Sequence, residues 1–206
     1  MAKLAGTYEM EIHSAFREAI NRKPPVFLDI GAAEGFYVAA LARALPEAEV
    51  IAYEAKREWR TRIEQLLTLN GVAARCEIRG FCDKKELLRL LDDKKGRPLF
   101  ILMDIEGGEF DLLDEEALLL MRNAELLVEL HEDESRERGD ALADMFRATH
   151  KVELIWAREA RSLDDVGSPW WRLVCSLLPP VRHRLEEGRK YKMRWMHAVP
   201  KSAVGG

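Results

Sequence analysis

Short apolar runs that alternate with helical segments constrain the fold of this chain more than any other feature. Five such runs separate the helical stretches of the first 130 residues, at residues 26–30, 49–53, 75–79, 99–103 and 125–130. Strands that are joined through helices usually form a parallel sheet covered on both faces. After the first run, Val38, Leu41 and Leu45 share one helical stripe that would pack on such a sheet. The pattern predicts a doubly wound α/β fold.

Two later segments, residues 152–156 and 191–199, complete a predicted sheet of seven strands. In the second segment, apolar and basic residues alternate, which indicates that the two segments form an antiparallel pair at the sheet edge with one solvated face. We expect a covering helix within residues 1–24. Residues 157–190 would form an insertion between the last two strands, either a packed excursion, a dimer contact or a cap over a substrate, with Trp170 and Trp171 as a candidate apolar wall.

Composition fits one globular domain over residues 1–206, since 48% of the residues are hydrophobic and 33% are charged. No apolar run reaches the roughly 20 residues of a membrane span, and the N-terminus lacks a signal-peptide core, so we expect a cytoplasmic protein. The three cysteines lack the spacing of a zinc site and are expected to be reduced. The net charge of −4 gives no overall attraction to nucleic acid, although residues 182–194 are locally basic.

The stretch FLDIGAAEGFY, residues 27–37, leads from the first strand into a glycine-bounded turn that contains acids. A dinucleotide site would place pyrophosphate on the helix N-terminus after G-x-G-x-x-G. Here Ala33 replaces the second glycine, and Glu34 at the helix start would repel a pyrophosphate, although it could simply be a favourable N-terminal helix charge. A positively charged nucleoside fits better, and S-adenosylmethionine, with its sulfonium and ammonium groups, is the obvious one.

Two further acids follow the next strands. Glu54 ends the second strand 19 residues after Gly35, close to the spacing at which an acid binds ribose hydroxyls in dinucleotide folds. Asp83 follows the third strand, where it could accept a hydrogen bond from an adenine amino group or cap the next helix.

The segments LDIGAAEGFY, AYE, LTLNGV, LMDIEGGEFDLL and LLVELHE, over about residues 7–132, resemble the class I S-adenosylmethionine-dependent methyltransferases, and in particular their FkbM-like branch. Two positions depart from that branch: Ala55 stands where proline is usual, and Leu102 where lysine is frequent. The resemblance implies the class I methyltransferase fold, a seven-stranded, mostly parallel sheet with an antiparallel edge strand. It also implies a set of cofactor-binding residues: Asp29, Gly31 and Gly35 around the methionine part, Glu54 at the ribose, Cys82 with Asp83 at the adenine edge, and in addition Ala33, Tyr37 and Asp104.

The acceptor side is predicted at the ends of the fourth and fifth strands, because open α/β sheets bind ligands beyond the carboxyl ends of their strands. Asp104 ends the fourth strand and Glu106 follows it, while His131 ends the fifth. We expect His131 to act as the base, with Asp104 and Glu106 positioning the acceptor. A structural histidine is the alternative, and Glu109 fits the role of a first-turn helix acid.

The favoured function is therefore O-methylation of a small molecule by S-adenosylmethionine, without a membrane or nucleic-acid partner and with a homodimer as one option. Methylation of RNA or protein and a non-catalytic S-adenosylmethionine-binding module remain open, whereas Ala33 and Glu34 disfavour a nicotinamide oxidoreductase. Asp104, Glu129 and His131 lie at neighbouring strand ends, where some class I methyltransferases hold magnesium. Imidazole suits zinc or iron better than magnesium, so we expect metal-independent transfer.

Overall fold

The computed structural model describes residues 8–157 and 193–203. Seven strands are present in this part of the chain: β1 (Val26–Ile30), β2 (Glu49–Tyr53), β3 (Cys76–Arg79), β4 (Leu99–Met103), β5 (Ala124–Leu130), β6 (His150–Trp156) and β7 (Arg194–Pro200). The helices are α1 (His13–Arg22), α2 (Phe36–Ala44), α3 (Arg57–Leu69), α4 (Lys84–Asp93), α5 (Glu109–Leu112), α6 (Glu115–Leu120) and α7 (Glu137–Arg147), with short 3-10 turns at Met10–Ile12, Ala73–Arg75 and Lys201–Ala203.

The strands form one sheet in the order β3-β2-β1-β4-β5-β7-β6. Strands β1 to β5 are parallel, and β7 runs antiparallel to both β5 and β6. The predicted seven-stranded, mostly parallel α/β fold with an antiparallel strand at the C-terminal side is thus confirmed. Since β1 and β4 pair in register, their carboxyl ends lie side by side. The turns that follow β1 and β4 therefore meet at one edge of the sheet.

A core lies on each face of the sheet because successive residues of a strand point to opposite sides. Val26, Leu28 and Ile30 of β1 pack in the core that α4, α6 and α7 cover, whereas Phe27 packs in the core beneath α1, α2 and α3. Helix α1, within the expected N-terminal covering segment, is held at the far end of the sheet, where Arg22 donates to Glu125 at 2.9 Å.

Strand β7 corrects one expectation. Its alternating pattern predicted a solvated face, but every residue of β7 is buried. Arg194 donates to the Glu132 carboxylate and forms an ion pair with Asp140 at 2.8 Å, so its charge is compensated inside the fold. The antiparallel pair does lie at the sheet edge as predicted, with the partly exposed β6 outermost and β7 between β5 and β6.

The expected insertion at residues 157–190, including Trp170 and Trp171, and the basic residues 182–192 lie outside the described residues, apart from Ala157. Within residues 8–157 and 193–203, no helix combines the length and apolar character that a membrane crossing requires.

Candidate active site

The turn after β1 is held in a left-handed conformation by its glycines and by β2. Gly31, Ala33 and Gly35 have φ values of 96°, 46° and 84°. The N–H groups of Gly31 and Ala32 both donate to the Tyr53 carbonyl, at 2.9 and 3.0 Å. A Cβ atom on Gly31 would lie 1.8 Å from the Asp104 carbonyl oxygen, so only glycine allows the β1 turn to approach the end of β4 this closely.

Glu54, at the end of β2, joins the glycine turn to the start of α3. Its Oε2 accepts the Ala33 N–H at 2.9 Å, and its Oε1 accepts the Lys56 N–H at 2.8 Å. These bonds hold Ala33 in its left-handed conformation, a role that the sequence did not indicate. Each carboxylate oxygen can accept a second hydrogen bond, so the predicted ribose contact remains open to Glu54.

A cavity of about 740 Å³ opens at the carboxyl edge of the sheet, beside the glycine turn. This volume falls in the range of small-molecule and cofactor pockets. Among the predicted cofactor residues, the lining includes Gly31, Ala33, Glu54, Cys82, Asp83 and Asp104. Asp29, Gly35 and Tyr37 lie behind the lining, in or next to the same turn.

One end of the cavity is formed by the segment between β3 and α4. The Asp83 side chain accepts the Glu86 N–H at 2.8 Å, so Asp83 caps α4 as well as lining the cavity. Burial, together with the charges of Glu86 and Asp83, raises the pKa of Cys82 to about 12, so its thiol stays protonated. Phe81 is 74% exposed and lines the cavity together with Trp59.

Asp29 is a buried carboxyl group in an acidic environment. It is only 2% exposed, and no side-chain hydrogen bond or ion pair to its carboxyl group occurs in residues 8–157 and 193–203. Burial raises the pKa of Asp29 well above its usual range, and the charges of Asp104 and Glu54 raise it further. An ionised Asp29 is therefore costly in the ligand-free protein, and a positive charge nearby would relieve that cost.

Tyr37 forms contacts that the sequence did not predict. Its hydroxyl donates to Glu9, a buried residue with φ of 45°, and its ring stacks on Phe16 at a centroid distance of 4.7 Å. The hydroxyl is therefore bound to protein rather than solvated. Glu9 is a residue of this region that sequence reasoning missed as a site candidate.

The predicted acceptor side is a cluster of carboxyl groups around His131. After Asp104, the chain turns through Glu106 and Gly107, with φ values of 56° and 102°. This turn brings both glutamates of the DIEGGE motif to the histidine. His131 Nδ1 lies 2.7 Å from Glu109 Oε1, while His131 Nε2 lies 3.6 Å from Asp104 Oδ1 and 3.5 Å from Glu106 Oε2.

The charges of this cluster shift its protonation equilibria. Burial alone would lower the pKa of His131, but the hydrogen bond to Glu109 and the charges of Glu109, Glu129 and Asp104 raise it to about 9. Burial raises the pKa of Asp104, although the charge of His131 and a hydrogen bond with Glu129 oppose the shift. A hydrogen bond between two carboxyl groups requires that one of them keeps a proton.

The donor atoms of Asp104, Glu106 and His131 lie within 4.8 Å of one another, a spacing that would also accommodate a divalent ion. Oxygen donors and an imidazole suit several first-row metals. The arrangement can thus hold either a proton at His131 Nε2 or a cation among the three side chains.

Similar folds occur among solved methyltransferases. The O-methyltransferase TomG from Streptomyces achromogenes, involved in tomaymycin synthesis and in complex with SAM, aligns with a TM-score of 0.59 and 19% identity over 89% of this chain and 76% of its own. An O-methyltransferase from Bacillus cereus in complex with SAH gives a TM-score of 0.59 and 16% identity over 90% of this chain and 78% of its own. The fold is that of S-adenosylmethionine-dependent methyltransferases.

Cofactor-bound Rv0187 from MTB has the same fold, with a TM-score of 0.54 and 18% identity over 90% of this chain and 77% of its own. No family model matches the chain, and no curated protein matches it. At these identities the likeness establishes the fold, and the assignment of chemistry depends on the residues of the site.

Sequence reasoning found Asp104, Glu106 and His131, and the structure brings these three together. It left Glu109 as a helix-capping charge, whereas Glu109 is buried directly against His131. The Gly107-Gly108 pair indicates a turn at this point, but it does not indicate that the turn directs Glu109 inward.

Proposed function

We propose that this protein is an S-adenosylmethionine-dependent methyltransferase that methylates a hydroxyl group of a small molecule. The observation that carries the proposal is the buried Asp29, which has no side-chain partner in the described part of the chain and lies beside Asp104 and Glu54, at the edge of a cavity that reaches the His131 cluster. Such a site favours a cationic nucleoside over an anionic dinucleotide. The SAM and SAH complexes of the O-methyltransferases with similar folds support this choice.

The cofactor would extend along the cavity from the glycine turn to the start of α4. Asp29, Gly31, Ala33, Gly35, Tyr37 and Asp104 would surround its methionine part, with Asp29 and Asp104 facing the positive charges. Glu54 would bind the ribose with the lone pairs that its backbone bonds leave free. Cys82 and Asp83 would contact the adenine edge, and the exposed ring of Phe81 would cover an adenine face.

When bound, S-adenosylmethionine supplies a methyl group on a positively charged sulfur that is already an excellent leaving group. The chain therefore has to place the acceptor in line and remove its proton. His131 Nε2 would take the hydroxyl proton of the acceptor, and the products would be a methyl ether, S-adenosylhomocysteine and a protonated His131. His131 then releases its proton to solvent. Asp104 and Glu106 orient the hydroxyl from either side of His131 Nε2.

This mechanism makes activity depend on pH in a defined direction. A base must be unprotonated to act, and the pKa of His131 is raised to about 9. Turnover should therefore rise with pH through about 9, above the range of an ordinary histidine.

We propose that transfer needs no metal. We also propose, from the DIEGGE and FLDIGAAEGFY motifs, that the chain belongs to the FkbM-like branch.

Calorimetric titration with S-adenosylhomocysteine and with NAD tests the cofactor. We expect micromolar affinity for S-adenosylhomocysteine and none for NAD. A ligand at one hundred times its dissociation constant should add about 2.7 kcal/mol to the free energy of unfolding. Stabilisation by NAD without stabilisation by S-adenosylhomocysteine would refute the proposal.

Methyl transfer itself is tested by mass spectrometry of a panel of phenols, catechols and aliphatic alcohols incubated with enzyme and cofactor. A mass gain of one methylene unit on one class, lost in His131→Ala, is the expected result. Cofactor binding without transfer to that panel, to RNA or to protein would indicate a non-catalytic binding module. Salt-sensitive transfer to RNA would favour the nucleic-acid alternative.

A further inference from the structure

Glu109, the first residue of α5, is buried in a way that packing alone does not explain. Its side chain is 0% exposed. Oε1 accepts the Ile105 N–H at 3.1 Å and lies 2.7 Å from His131 Nδ1, while Oε2 has no hydrogen-bond partner within the described part of the chain. Burying a carboxylate with one oxygen unpaired costs stability, so an apolar residue would serve the core better.

The contact with Glu109 determines which nitrogen of His131 carries the hydrogen. Burial would raise the pKa of Glu109, but the hydrogen bond from His131, the Glu109 and Ile105 N–H groups, and the charge of His131 lower it overall, so Glu109 is ionised. An ionised carboxylate only accepts hydrogen bonds. His131 must therefore donate Nδ1–H to Glu109, and neutral His131 keeps its lone pair on Nε2.

The DIEGGE turn places the second nitrogen of His131 in the acceptor region. The left-handed Glu106 and Gly107 turn the chain so that Glu109 lies on the Nδ1 side of the ring and Glu106 on the Nε2 side. Asp104 and Glu106, the two carboxyl groups near Nε2, both line the cavity, so the Nε2 side of the ring faces it. The lone pair of His131 thus points to the place where an acceptor hydroxyl would enter.

We propose that Glu109 is a positioning residue, which fixes the ring orientation and the Nδ1–H tautomer of His131 so that Nε2 can take a proton from the acceptor. This inference rests on the proposed function. Glu109 does not touch the acceptor and acts only through His131. The alternative is that Glu109 is a first-turn acid that stabilises α5. Such a role does not require burial, since Glu116 is an exposed first-turn acid of α6.

Three variants separate these roles. Glu109→Gln keeps an oxygen that can accept from both Ile105 and His131, while the charge is removed. Glu109→Met has a similar length but no strong acceptor. Glu116→Met removes an exposed first-turn acid from α6 and serves as the matched control.

The first measurement is nitrogen-15 NMR of the His131 ring at a pH above its pKa. The native protein, Glu109→Gln and Glu116→Met should show the Nδ1–H tautomer, whereas Glu109→Met should show the Nε2–H tautomer. The second measurement is methyl transfer. Glu109→Met should lower kcat by about 10²- to 10⁴-fold, the range for loss of a general base, with cofactor affinity unchanged and a smaller loss in Glu109→Gln.

Retention of the Nδ1–H tautomer in Glu109→Met would overturn the inference, as would equal losses in the Glu109→Met and Glu116→Met variants. If Glu109→Met does not fold, the pKa of His131 in Glu109→Gln tests the proposed role instead. Loss of one carboxylate should then lower the pKa of His131 while Asp104, Glu106 and Glu129 still face it, and an unchanged titration would refute the role. The NMR measurement reports the tautomer of His131 whether or not the protein transfers methyl groups. Failure of the proposed function would be recognised separately, because the native protein would then neither bind the cofactor nor transfer a methyl group.

Discussion

Replacing Gly31 with alanine tests whether the close contact between the β1 turn and the end of β4 builds the site. Gly31 and Gly71 both have positive φ, 96° and 69°, so a side chain at either costs about 1 to 2 kcal/mol of backbone strain. The surroundings differ. A Cβ on Gly31 would lie 1.8 Å from the Asp104 carbonyl oxygen and 2.9 Å from Ile105 Cγ2, whereas a Cβ on Gly71 meets nothing within 4 Å. Alanine lowers the conformational entropy of the unfolded chain equally in both variants, so this effect cancels when Gly31→Ala is compared with Gly71→Ala.

The overlap at Gly31 involves backbone, which cannot move without displacing the end of β4. We expect Gly31→Ala to lower the free energy of unfolding by about 4 kcal/mol or more, and Gly71→Ala by about 1 kcal/mol. With a urea dependence of about 2 kcal/mol per molar, the unfolding midpoints should fall by about 2 M and about 0.5 M.

Gly35→Ala should fall between these two variants, because its Cβ would lie 3.0 Å from Ile63 Cγ1 and 3.3 Å from Ile63 Cα, a tight contact but a much smaller overlap than the one at Gly31. Urea unfolding followed by circular dichroism measures all three. Equal midpoints for Gly31→Ala and Gly71→Ala would refute the reasoning that this contact requires glycine.

Further predictions concern the acids of the site. Asp29→Asn should stabilise the ligand-free protein at pH 7 by about 0.5–2 kcal/mol, since it removes a disfavoured buried charge, and should weaken S-adenosylhomocysteine binding; reduced thermal stability with unchanged affinity would contradict this. Glu54→Ala should cost about 1–3 kcal/mol of stability through the lost Ala33 and Lys56 bonds and should also weaken binding, whereas Glu58→Ala, which removes an exposed first-turn charge from α3, should cost less than about 1 kcal/mol and leave binding unchanged. The pKa of His131 is raised to about 9 in the folded state, so its contribution to stability should be present below about pH 6.5 and lost as pH rises through 9, a slope that denaturant titrations should find absent in His131→Ala. Methyl transfer should survive treatment with a chelator, and inactivation that added Mg²⁺ reverses would show that Asp104, Glu106 and His131 hold a metal.

The strands were predictable because the parallel sheet is covered on both faces. Residues 26–30, 49–53 and 99–103 match the observed strands, since a strand buried on both sides is mostly apolar. The same rule failed for β7, where Arg194 and His197 are polar and yet buried. Their burial depends on partners distant in sequence, Glu132 and Glu125, which no local pattern reveals.

For the candidate site, only the proximity of residues at the ends of neighbouring strands could be predicted from the sequence. The carboxyl ends of β4 and β5 had to lie together, so the proximity of Asp104 and His131 followed from the sheet. The position of Glu109 depends on a left-handed conformation at Glu106, which a non-glycine residue adopts only when its surroundings impose it. Local propensity therefore could not distinguish an exposed first-turn acid from a buried partner of His131.

The carboxyl groups clustered at the glycine turn lower the stability of the ligand-free protein and favour the binding of a cation. Asp29, Asp104 and Glu54 repel one another in the ligand-free protein, and burial adds to the cost of charging Asp29. A cofactor with positive charges at sulfur and nitrogen would convert part of that repulsion into attraction, so the free energy lost through repulsion without cofactor would be recovered as affinity. S-adenosylhomocysteine, which has lost the sulfonium charge, should recover less of it. We therefore expect S-adenosylmethionine to bind more tightly than S-adenosylhomocysteine at pH 7, and the difference in affinity to shrink in Asp29→Asn. Calorimetric titrations of both ligands against both proteins measure this difference, and an unchanged ratio of affinities in Asp29→Asn would show that Asp29 does not sense the charge on sulfur.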